Sequence, residues 1–349
     1  MSSSPVRVAI NGFGRIGRAF YKLARTEPSF EIVAVNDLGD AASMAYLLKY
    51  DSTYGRTNFD VTVVDSTGGE APGFMVDGKK VLLIQEKDAT KLPWRDLAID
   101  IVVESTGFYT AYDKAKVHLD SGAKRVVITA PVKGAAAEGV VGETVLMGIN
   151  HEKLAHCQIS SNASCTTNAA SPVIYILNEA IGVEKAILST THAYTASQRL
   201  IDAPTGKDMR EGRAAAVNMV PSSTGAAIAV TEAVTDLRGK FDGISIRVPV
   251  IAGSIADTTF IAKRPTTVEE VNDILKKAAA DPRWAGIFTV TEEPLVSSDI
   301  KGQLYGAIAD LALTRVVDGT LVKVLSWYDN EMGYTSTLVK HVAEVAKHV

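Results

Sequence analysis

The cysteine at position 165 is the side chain in this sequence best suited to covalent chemistry, because of where it stands. It lies in the run SNASCTTN at 161–168, where a strand is followed by a helix predicted over 166 to about 180. Unpaired backbone N–H groups and the positive end of the helix dipole stabilise a thiolate at such a position. We therefore expect a lowered pKa for Cys165 and attack by its thiolate on a carbonyl carbon.

A cysteine nucleophile needs a base, and His192 is the best placed of the six histidines. It follows a strand predicted over 186–191 and stands beside hydroxyl residues. Two structural alternatives stay open on the residues alone. Cys165 could pack as a small apolar residue, and His192 could be a hydrogen-bonded histidine of the core.

A glycine motif near the start of the chain predicts a binding site for a dinucleotide. Strand 6–10 runs into Gly12, Gly14 and Gly17, which permit a tight turn, close approach of a pyrophosphate and close packing of helix on strand. A second strand, 31–35, leads to Asp37, whose carboxylate can accept from ribose hydroxyls and disfavours a 2′-phosphate. A plain turn aspartate is the alternative for Asp37.

The rest of the first half predicts a Rossmann-type parallel sheet. Strand-like runs at 61–64 and 81–84, around a glycine turn at 67–69, indicate a hairpin excursion. Strands 101–104 and 124–129 return to the sheet, and Thr106 and Thr129 at their carboxyl ends are candidates for the cofactor cleft. Hydroxyls that only cap turns remain an equal alternative.

The second half changes pattern. Strands at 244–250, 258–261 and 321–326 follow one another, with helices at 228–234 and 267–280, which is typical of an α+β domain with a mainly antiparallel sheet. We expect a dinucleotide-binding domain over 1–164, a catalytic domain over 165–330, and a final helix, about 331–349, that packs back on the first. A long polar segment at 193–216 is expected to be functional.

Composition excludes several classes of function. The 349 residues carry a net charge of -4 and no long basic run, which argues against nucleic acid or an anionic membrane as partner. The two cysteines, Cys157 and Cys165, exclude a disulfide framework. The first residues lack the apolar core of a secretion signal, so a reducing cytoplasm is expected.

The motif SNASCTTN, together with TTHAYT at 190–195 and SSTGA at 222–226, resembles the signature of phosphorylating glyceraldehyde-3-phosphate dehydrogenases, and the resemblance covers nearly the whole chain. It implies NAD-dependent oxidation of glyceraldehyde 3-phosphate with inorganic phosphate, through a thioester on Cys165 with His192 as base, to 1,3-bisphosphoglycerate. It implies no metal. It also implies a homotetramer, in which segment 193–216 lies at a subunit interface.

The same resemblance implies the other site residues. Cofactor contacts fall on Gly12, Gly14, Arg15, Ile16, Gly17, Asp37, Thr106, Gly107, Thr129, Asn330 and Tyr334, with Asn330 holding the nicotinamide carboxamide. The substrate phosphate falls on Thr195 and Arg247, and inorganic phosphate on Ser164, Thr166, Thr224 and Gly225. Ser197 departs from the family pattern, which often has an aspartate there.

Two rival functions follow from the same features. Erythrose-4-phosphate dehydrogenase shares the fold and the cysteine, but its relatives do not usually keep both the HAYT and the SSTGA segments. A catalytically silent dinucleotide-binding scaffold would share the glycine motif. The intact set of Cys165, His192 and Arg247 argues against that reading.

Overall fold

The computed structural model describes residues 5–64, 71–132, 134, 136, 138–206 and 208–349; the predicted glycine turn at 67–69 lies outside them. The chain divides into two compact units. Unit 1 comprises Met1–Val145, His151–Ala163 and Leu338–Val349, and unit 2 comprises Leu146–Asn150 and Ser164–Thr337. The last helix therefore contributes residues to both units.

Unit 1 contains a sheet that is mostly parallel. The strands of unit 1 are β1 Val6–Asn11, β2 Phe30–Asn36, β3 Tyr50–Asp51, β4 Gly55–Arg56, β5 Val61–Val64, β6 Gly73–Val76, β7 Lys79–Ile84, β8 Ile101–Glu104, β9 Arg125–Ile128, β10 Gly142–Thr144 and β11 Ile159–Ser161. Strands β3 and β4 form a separate antiparallel pair. The helices are α1 Arg15–Ala24, α2 Ala41–Lys49 and α3 Tyr112–Asp120. Within the described residues the main sheet runs β10-β11-β9-β8-β1-β2-β7-β6-β5, parallel from β10 to β7. The predicted parallel Rossmann-type sheet is confirmed.

The predicted hairpin between 61–64 and 81–84 is wrong. Strand β6 lies between β5 and β7 and pairs antiparallel with both, while β7 itself pairs parallel with β2. The excursion is thus a three-stranded meander whose last strand belongs to the parallel sheet. Strand β6 is four residues long and begins with glycine, so it carries almost no periodic signal in the sequence.

Unit 2 contains the mainly antiparallel sheet. Its strands are β12 Val183–Ala193, β13 Val220–Ser223, β14 Phe241–Val248, β15 Ser254–Ala262, β16 Phe288–Thr291, β17 Ala307–Val317 and β18 Leu321–Tyr328. The helices are α4 Cys165–Ile181, α5 Ala226–Ala233, α6 Val268–Ala279, α7 Ser297–Ile300 and α8 Met332–Ala346, the last shared with unit 1. The order is β13-β14-β12-β15-β18-β17-β16, with only β12/β14 and β16/β17 parallel among the described strands.

The sequence patterns did not predict strands β16 and β17. Strand β17 is 11 residues long, but its pairing with β18 shifts register between Asp310 and Arg315. The shift interrupts the alternation of buried and exposed side chains that identifies a strand in sequence.

The core of unit 2 forms where helices cover one face of this sheet. Ala169, Val173 and Leu177 of α4 are buried with Leu188 of β12 and Phe260 of β15. Because side chains alternate along a strand, the neighbours of these strand residues point to the opposite face. Helix α4 thus fixes both the core and the orientation of the residue at its amino end.

The last helix is anchored to unit 1 by buried polar contacts. Nε2 of His341 lies 2.7 Å from Oγ of Ser160, and Nδ1 lies 3.3 Å from Oδ1 of Asn162. Burial lowers the pKa of His341 to about 3, so the ring is neutral. Near the chain end, Arg125 donates to the His348 carbonyl at 3.0 Å. Strand β11, which leads toward Cys165, is therefore fixed by the end of the chain.

Two glycines of the glycine motif have separable roles. A Cβ at Gly17 would lie 2.1 Å from the Gly12 carbonyl oxygen, whereas one at Gly14 would meet nothing within 4 Å.

We expect Gly17→Ala to lower the free energy of unfolding by about 1–3 kcal/mol, because α1 must move off β1. Gly14→Ala should have a clearly smaller effect in the same urea titration. Equal losses in the two variants would contradict this packing role.

Candidate active site

Cys165 is the first residue of α4, as predicted. The chain turns sharply before it, with Ala163 at φ +55, and Ser164 then caps the helix. Oγ of Ser164 accepts from the Thr167 N–H at 3.0 Å. The nucleophile candidate is thus held by a turn on one side and a capped helix on the other.

His192 faces Cys165 from the end of β12. The Cys165 Sγ lies 3.3 Å from Nε2 of His192, while the His192 Nδ1 lies 2.6 Å from the Ala193 carbonyl oxygen. A carbonyl can only accept, so Nδ1 carries the proton and Nε2 presents a lone pair to the thiol. This is the geometry of a base next to a nucleophile.

The expectation of a lowered pKa for Cys165 is wrong in direction. The residue keeps some exposed surface, but protein atoms enclose the thiol, and this burial raises its pKa against the lowering effects of Arg247 and Thr166. Burial, with the positive charge of Arg247, lowers the pKa of His192 to about 3. The resting pair is therefore a neutral thiol hydrogen-bonded to a neutral imidazole.

Tyr328 connects the two elements that carry this pair, a role that the sequence patterns did not predict. Its hydroxyl lies 2.8 Å from Oγ1 of Thr166 on α4 and 2.8 Å from Oγ1 of Thr190 on β12. Its ring packs edge-on against His192, with centroids 5.9 Å apart. Tyr328 thereby ties the helix of the nucleophile to the strand of the base. The hydroxyl of Thr166 is engaged in this contact, although Thr166 was predicted to bind phosphate.

Arg247 lies beside His192 on the neighbouring strand. The two residues are direct partners in the parallel register of β12 and β14. Nη1 of Arg247 is buried, and none of the described residues forms a hydrogen bond with it. A buried guanidinium N–H without a partner is costly unless an anion satisfies it, so this position suits a phosphate or carboxylate.

The other predicted phosphate residues fall in two places. Oγ1 of Thr195, just after β12, lies 3.0 Å from Oγ of Ser197, so the serine bonds directly to the predicted phosphate ligand. Gly225 caps the amino end of α5, where Oγ1 of Thr224 accepts from the Ala226 N–H at 3.2 Å. Backbone N–H groups at a helix start are suited to bind an anion.

The strand register separates these two places. Val220 pairs with Arg247 and Ser223 pairs with Ile244, so β13 carries the chain three residues along β14 before Thr224. At the usual rise of a strand this is a distance of about 10 Å. Unit 2 therefore offers two separate positions for anions.

Asn330, a predicted cofactor residue, is connected through Ser254 to β12, the strand that carries His192. Oγ of Ser254 donates to Oδ1 of Asn330 at 3.1 Å, and the same Oγ accepts from the Ala193 N–H at 3.1 Å. The orientation of the Asn330 amide thus depends on the residue that follows His192. Tyr334, predicted for the same cofactor, is buried in the first turns of α8.

A cleft of about 630 Å³ lies within unit 1 at the carboxyl ends of its parallel strands. Gly12, Gly14, Asp37 and Thr106 of the predicted set line it. Gly12 has φ +94, and the open space at Gly14 is a cradle that any side chain would fill. The glycine turn and the start of α1 thus fit the pyrophosphate of a dinucleotide.

Asp37 stands in this cleft as the sequence predicts. Its two carboxylate oxygens accept from the Phe13 N–H at 2.7 Å and the Gly39 N–H at 3.0 Å, which aims the carboxylate while leaving further lone pairs for hydroxyls. Arg15 forms an ion pair with Asp51 at 3.0 Å. The remaining predicted residues of the motif and strand ends, Ile16, Gly17, Gly107 and Thr129, are not part of the cleft lining.

Two apolar side chains at this cleft were also missed. Leu38 and Phe108 line it with 62% and 78% of their surfaces exposed. Exposed apolar side chains beside a cleft suit an aromatic base such as adenine. The signal in the sequence is weak, because single apolar residues after a strand are common in any loop.

Two other kinds of site are absent from the described part of the chain. No group of three or more His, Cys, Asp or Glu side chains there could hold a metal ion. None of its helices combines the length and apolarity that crossing a membrane requires.

Comparison with known proteins decides the family. Residues 6–112 match the glyceraldehyde 3-phosphate dehydrogenase NAD binding domain, and residues 164–330 match the C-terminal domain of the same enzyme. The chain belongs to the glyceraldehyde-3-phosphate dehydrogenase family. It is 45% identical to the glyceraldehyde-3-phosphate dehydrogenase of Clostridium acetobutylicum and 44% identical to that of Clostridium pasteurianum, each over 98% of both chains. The predicted family, fold class and cofactor NAD are confirmed.

The raised pKa of the nucleophile gives the family member a testable pH dependence. The thiolate fraction of Cys165 grows as pH rises through the thiol pKa, so alkylation by iodoacetamide should accelerate steadily from pH 7 to about 9. Arg247→Met removes a charge that lowers this pKa, so alkylation at pH 8 should slow several-fold.

Cys165→Ser is the matched control, because it keeps the buried Cys157, whose pKa burial raises to about 11. That variant should show only slow background labelling. An alkylation rate of the parent that stays constant over the same pH range would show a resting thiolate and contradict the neutral pair.

Proposed function

We propose that this protein catalyses the NAD-dependent oxidative phosphorylation of D-glyceraldehyde 3-phosphate to 1,3-bisphosphoglycerate, in glycolysis and gluconeogenesis. The observation that carries the proposal is the Cys165–His192 contact of 3.3 Å, flanked by the unpartnered Nη1 of Arg247. A nucleophile at the start of α4, with a base and an anion site at the ends of β12 and β14, suits a small aldehyde that carries a phosphate.

The first step forms a hemithioacetal. Cys165 Sγ bonds to the aldehyde carbon while its proton passes to Nε2 of His192. The imidazolium then donates this proton to the new oxyanion. The Ala193 carbonyl keeps the ring in the orientation that both transfers require, because it holds Nδ1 in place.

The second step is oxidation to a thioester. Nε2 of His192 removes the hydroxyl proton of the hemithioacetal as hydride leaves the carbon. Bound NAD supplies the hydride acceptor in this step. In unit 1 the residues that would hold NAD are Gly12, Gly14, Arg15, Ile16, Gly17, Asp37, Thr106, Gly107 and Thr129. For Asn330 and Tyr334 of unit 2, the contact with the nicotinamide end stays a prediction.

The third step is transfer to phosphate. An oxygen of inorganic phosphate, held by Ser164, Thr166, Thr224 and Gly225, attacks the thioester carbon. The bond to sulfur breaks, His192 returns a proton to the thiolate, and the proton of the phosphate goes to solvent. The acyl phosphate keeps the energy of the oxidation because water is not the nucleophile.

Arg247 connects binding to base strength in this scheme. Its charge contributes to the lowered pKa of His192, and a substrate phosphate bound by Arg247 and Thr195 would neutralise that charge. The pKa of His192 then rises toward its ordinary range, and the ring becomes a stronger base once substrate is in place. The pKa of Cys165, which the same charge lowers, rises as well, so the two effects on proton transfer between thiol and ring oppose each other.

We also propose a homotetramer in a reducing cytoplasm, where the thiol of Cys165 survives. The sheet face of unit 2 opposite α4 carries Ile187 and Ile244, which are 59% and 53% exposed. Segment 193–216 adds exposed Leu200, Ile201 and Met209. Exposed apolar side chains in such number are typical of an interface, and copies of one chain are its most common partners.

The reaction is tested by NADH formation from glyceraldehyde 3-phosphate with and without inorganic phosphate. Turnover should continue with phosphate and stop after a stoichiometric burst without it. His192→Asn should slow hydride transfer by about 10²–10⁴ while substrate still binds, and Cys165→Ser should abolish the burst. The assignment would be refuted if erythrose 4-phosphate were turned over faster than glyceraldehyde 3-phosphate. It would also be refuted if the turnover rate of Cys165→Ser were within about tenfold of the parent rate.

The assembly is tested by light scattering. The parent should have the mass of four chains, and Ile244→Asp should give smaller species because a charge cannot be buried in an apolar interface. Ile244→Val is the matched control and should stay tetrameric. A parent that is a stable and fully active monomer would contradict the homotetramer.

A further inference from the structure

Beneath the cleft of unit 1 lies a buried carboxylate that the reaction scheme does not use. Glu104 ends β8 and is 1% exposed. Its side chain does not line the cleft, whereas Asn11 and Thr106, which surround it, do. A buried charge is costly unless it is fully hydrogen-bonded, so its presence under a binding cleft requires an explanation.

Four hydrogen bonds converge on this carboxylate. Oε2 accepts from Nδ2 of Asn11 at 2.6 Å and is 3.0 Å from Nε2 of His118. Oε1 accepts from the N–H of Thr106 at 2.8 Å and from the Thr106 hydroxyl. Glu104 therefore holds the end of β1, the turn after β8 and helix α3 at one point.

The direction of these bonds is fixed by chemistry. Nε1 of Trp94 lies 3.1 Å from Nδ1 of His118, and an indole N–H can only donate. Nδ1 therefore has no proton, and the proton of the neutral ring sits on Nε2, which donates to Glu104. Trp94, His118 and Glu104 form one oriented chain within the core of unit 1.

The network continues from Glu104 across the cleft. Oδ1 of Asn11 accepts from Nδ2 of Asn36 at 2.7 Å, and Asn36 in turn bonds the backbone of Glu86 at 2.9 Å and 3.0 Å. Asn11, Asn36, Glu86 and Thr106 all line the cleft. One carboxylate thus orients residues from four separate segments of the chain around it.

The glycine turn depends on the same point. A Cβ at Gly12 would lie 2.7 Å from the Thr106 nitrogen, so the two turns are in direct contact. The Thr106 nitrogen is also the group that donates to Glu104. Any movement of the Thr106 turn would therefore displace the loop that approaches the pyrophosphate.

We propose that Glu104 is a positioning residue for the dinucleotide site, which rests on the NAD-dependent function proposed above. It sets the spacing between the glycine turn and the Thr106 turn, and it fixes the amide orientation of Asn11 through a bond that only an acceptor can make. Its effect is on cofactor affinity rather than on the chemistry at Cys165.

The test compares Glu104→Gln with a control on the same protein. Glutamine has the shape of glutamate, but its NH₂ group would face a donor in either orientation, Asn11 and His118 at one position or the Thr106 N–H at the other. We expect the NAD dissociation constant, from titration calorimetry on the full-length protein, to rise about tenfold or more. The KM for NAD should rise in parallel, while kcat at saturating NAD and the KM for glyceraldehyde 3-phosphate stay within about threefold.

Tyr112→Phe is the matched control. Tyr112 is on the same helix as His118, and the change removes its contact of 3.4 Å with Thr144 of β10 without reaching Glu104. It should lower the melting temperature and leave the KM for NAD unchanged. His118→Leu is a second probe if Glu104→Gln does not fold. It removes one donor to Glu104 and should raise the KM for NAD, whereas His118→Gln, which restores a donor, should return it toward the parent value.

The outcomes are distinct. A parent protein that neither binds nor reduces NAD refutes the proposed function itself. With an active parent, an unchanged NAD dissociation constant in Glu104→Gln overturns the positioning role. The positioning role is also overturned if Tyr112→Phe loses as much affinity for NAD as the Glu104 or His118 variants do when its melting temperature falls by the same amount.

Discussion

The contact between a neutral thiol and a neutral imidazole is the constraint on which the rest of unit 2 depends. Burial raises the pKa of Cys165 and lowers that of His192, so neither group is reactive unless the other is within hydrogen-bond distance. The fold meets this requirement with a capped helix start on one side and a strand end on the other. Tyr328 joins the two through its hydroxyl, which bonds to both elements.

The same burial makes the pair sensitive to nearby charge. Arg247 is the register partner of His192, and its charge acts on both pKa values. In a medium of low dielectric such a charge acts strongly, so an anion that neutralises it changes the balance of the pair. One guanidinium group thus acts on both members of the pair.

Much of the fold and of the candidate site could be predicted from the sequence, because short local patterns indicate them. The glycine motif, Asp37 and the helix start at Cys165 are local signals, and the structure agrees with each. The sign of the Cys165 pKa could not be predicted, since desolvation depends on how the whole unit encloses the thiol. Tyr328 was missed for a similar reason: its partners Thr166 and Thr190 are distant in sequence and meet only through the sheet. Strand β17 was missed because its register shift removes the alternation that identifies a strand.

The anchoring of the last helix has a consequence during synthesis of the protein on the ribosome. The partner of Ser160 and Asn162 is His341, which eight residues follow in the sequence. At about 5–20 residues per second, synthesis of the segment between them takes roughly 10–40 s, during which two buried polar groups beside β11 lack their partner. The contacts of His341 that fix β11 therefore form only after α8 has been synthesised.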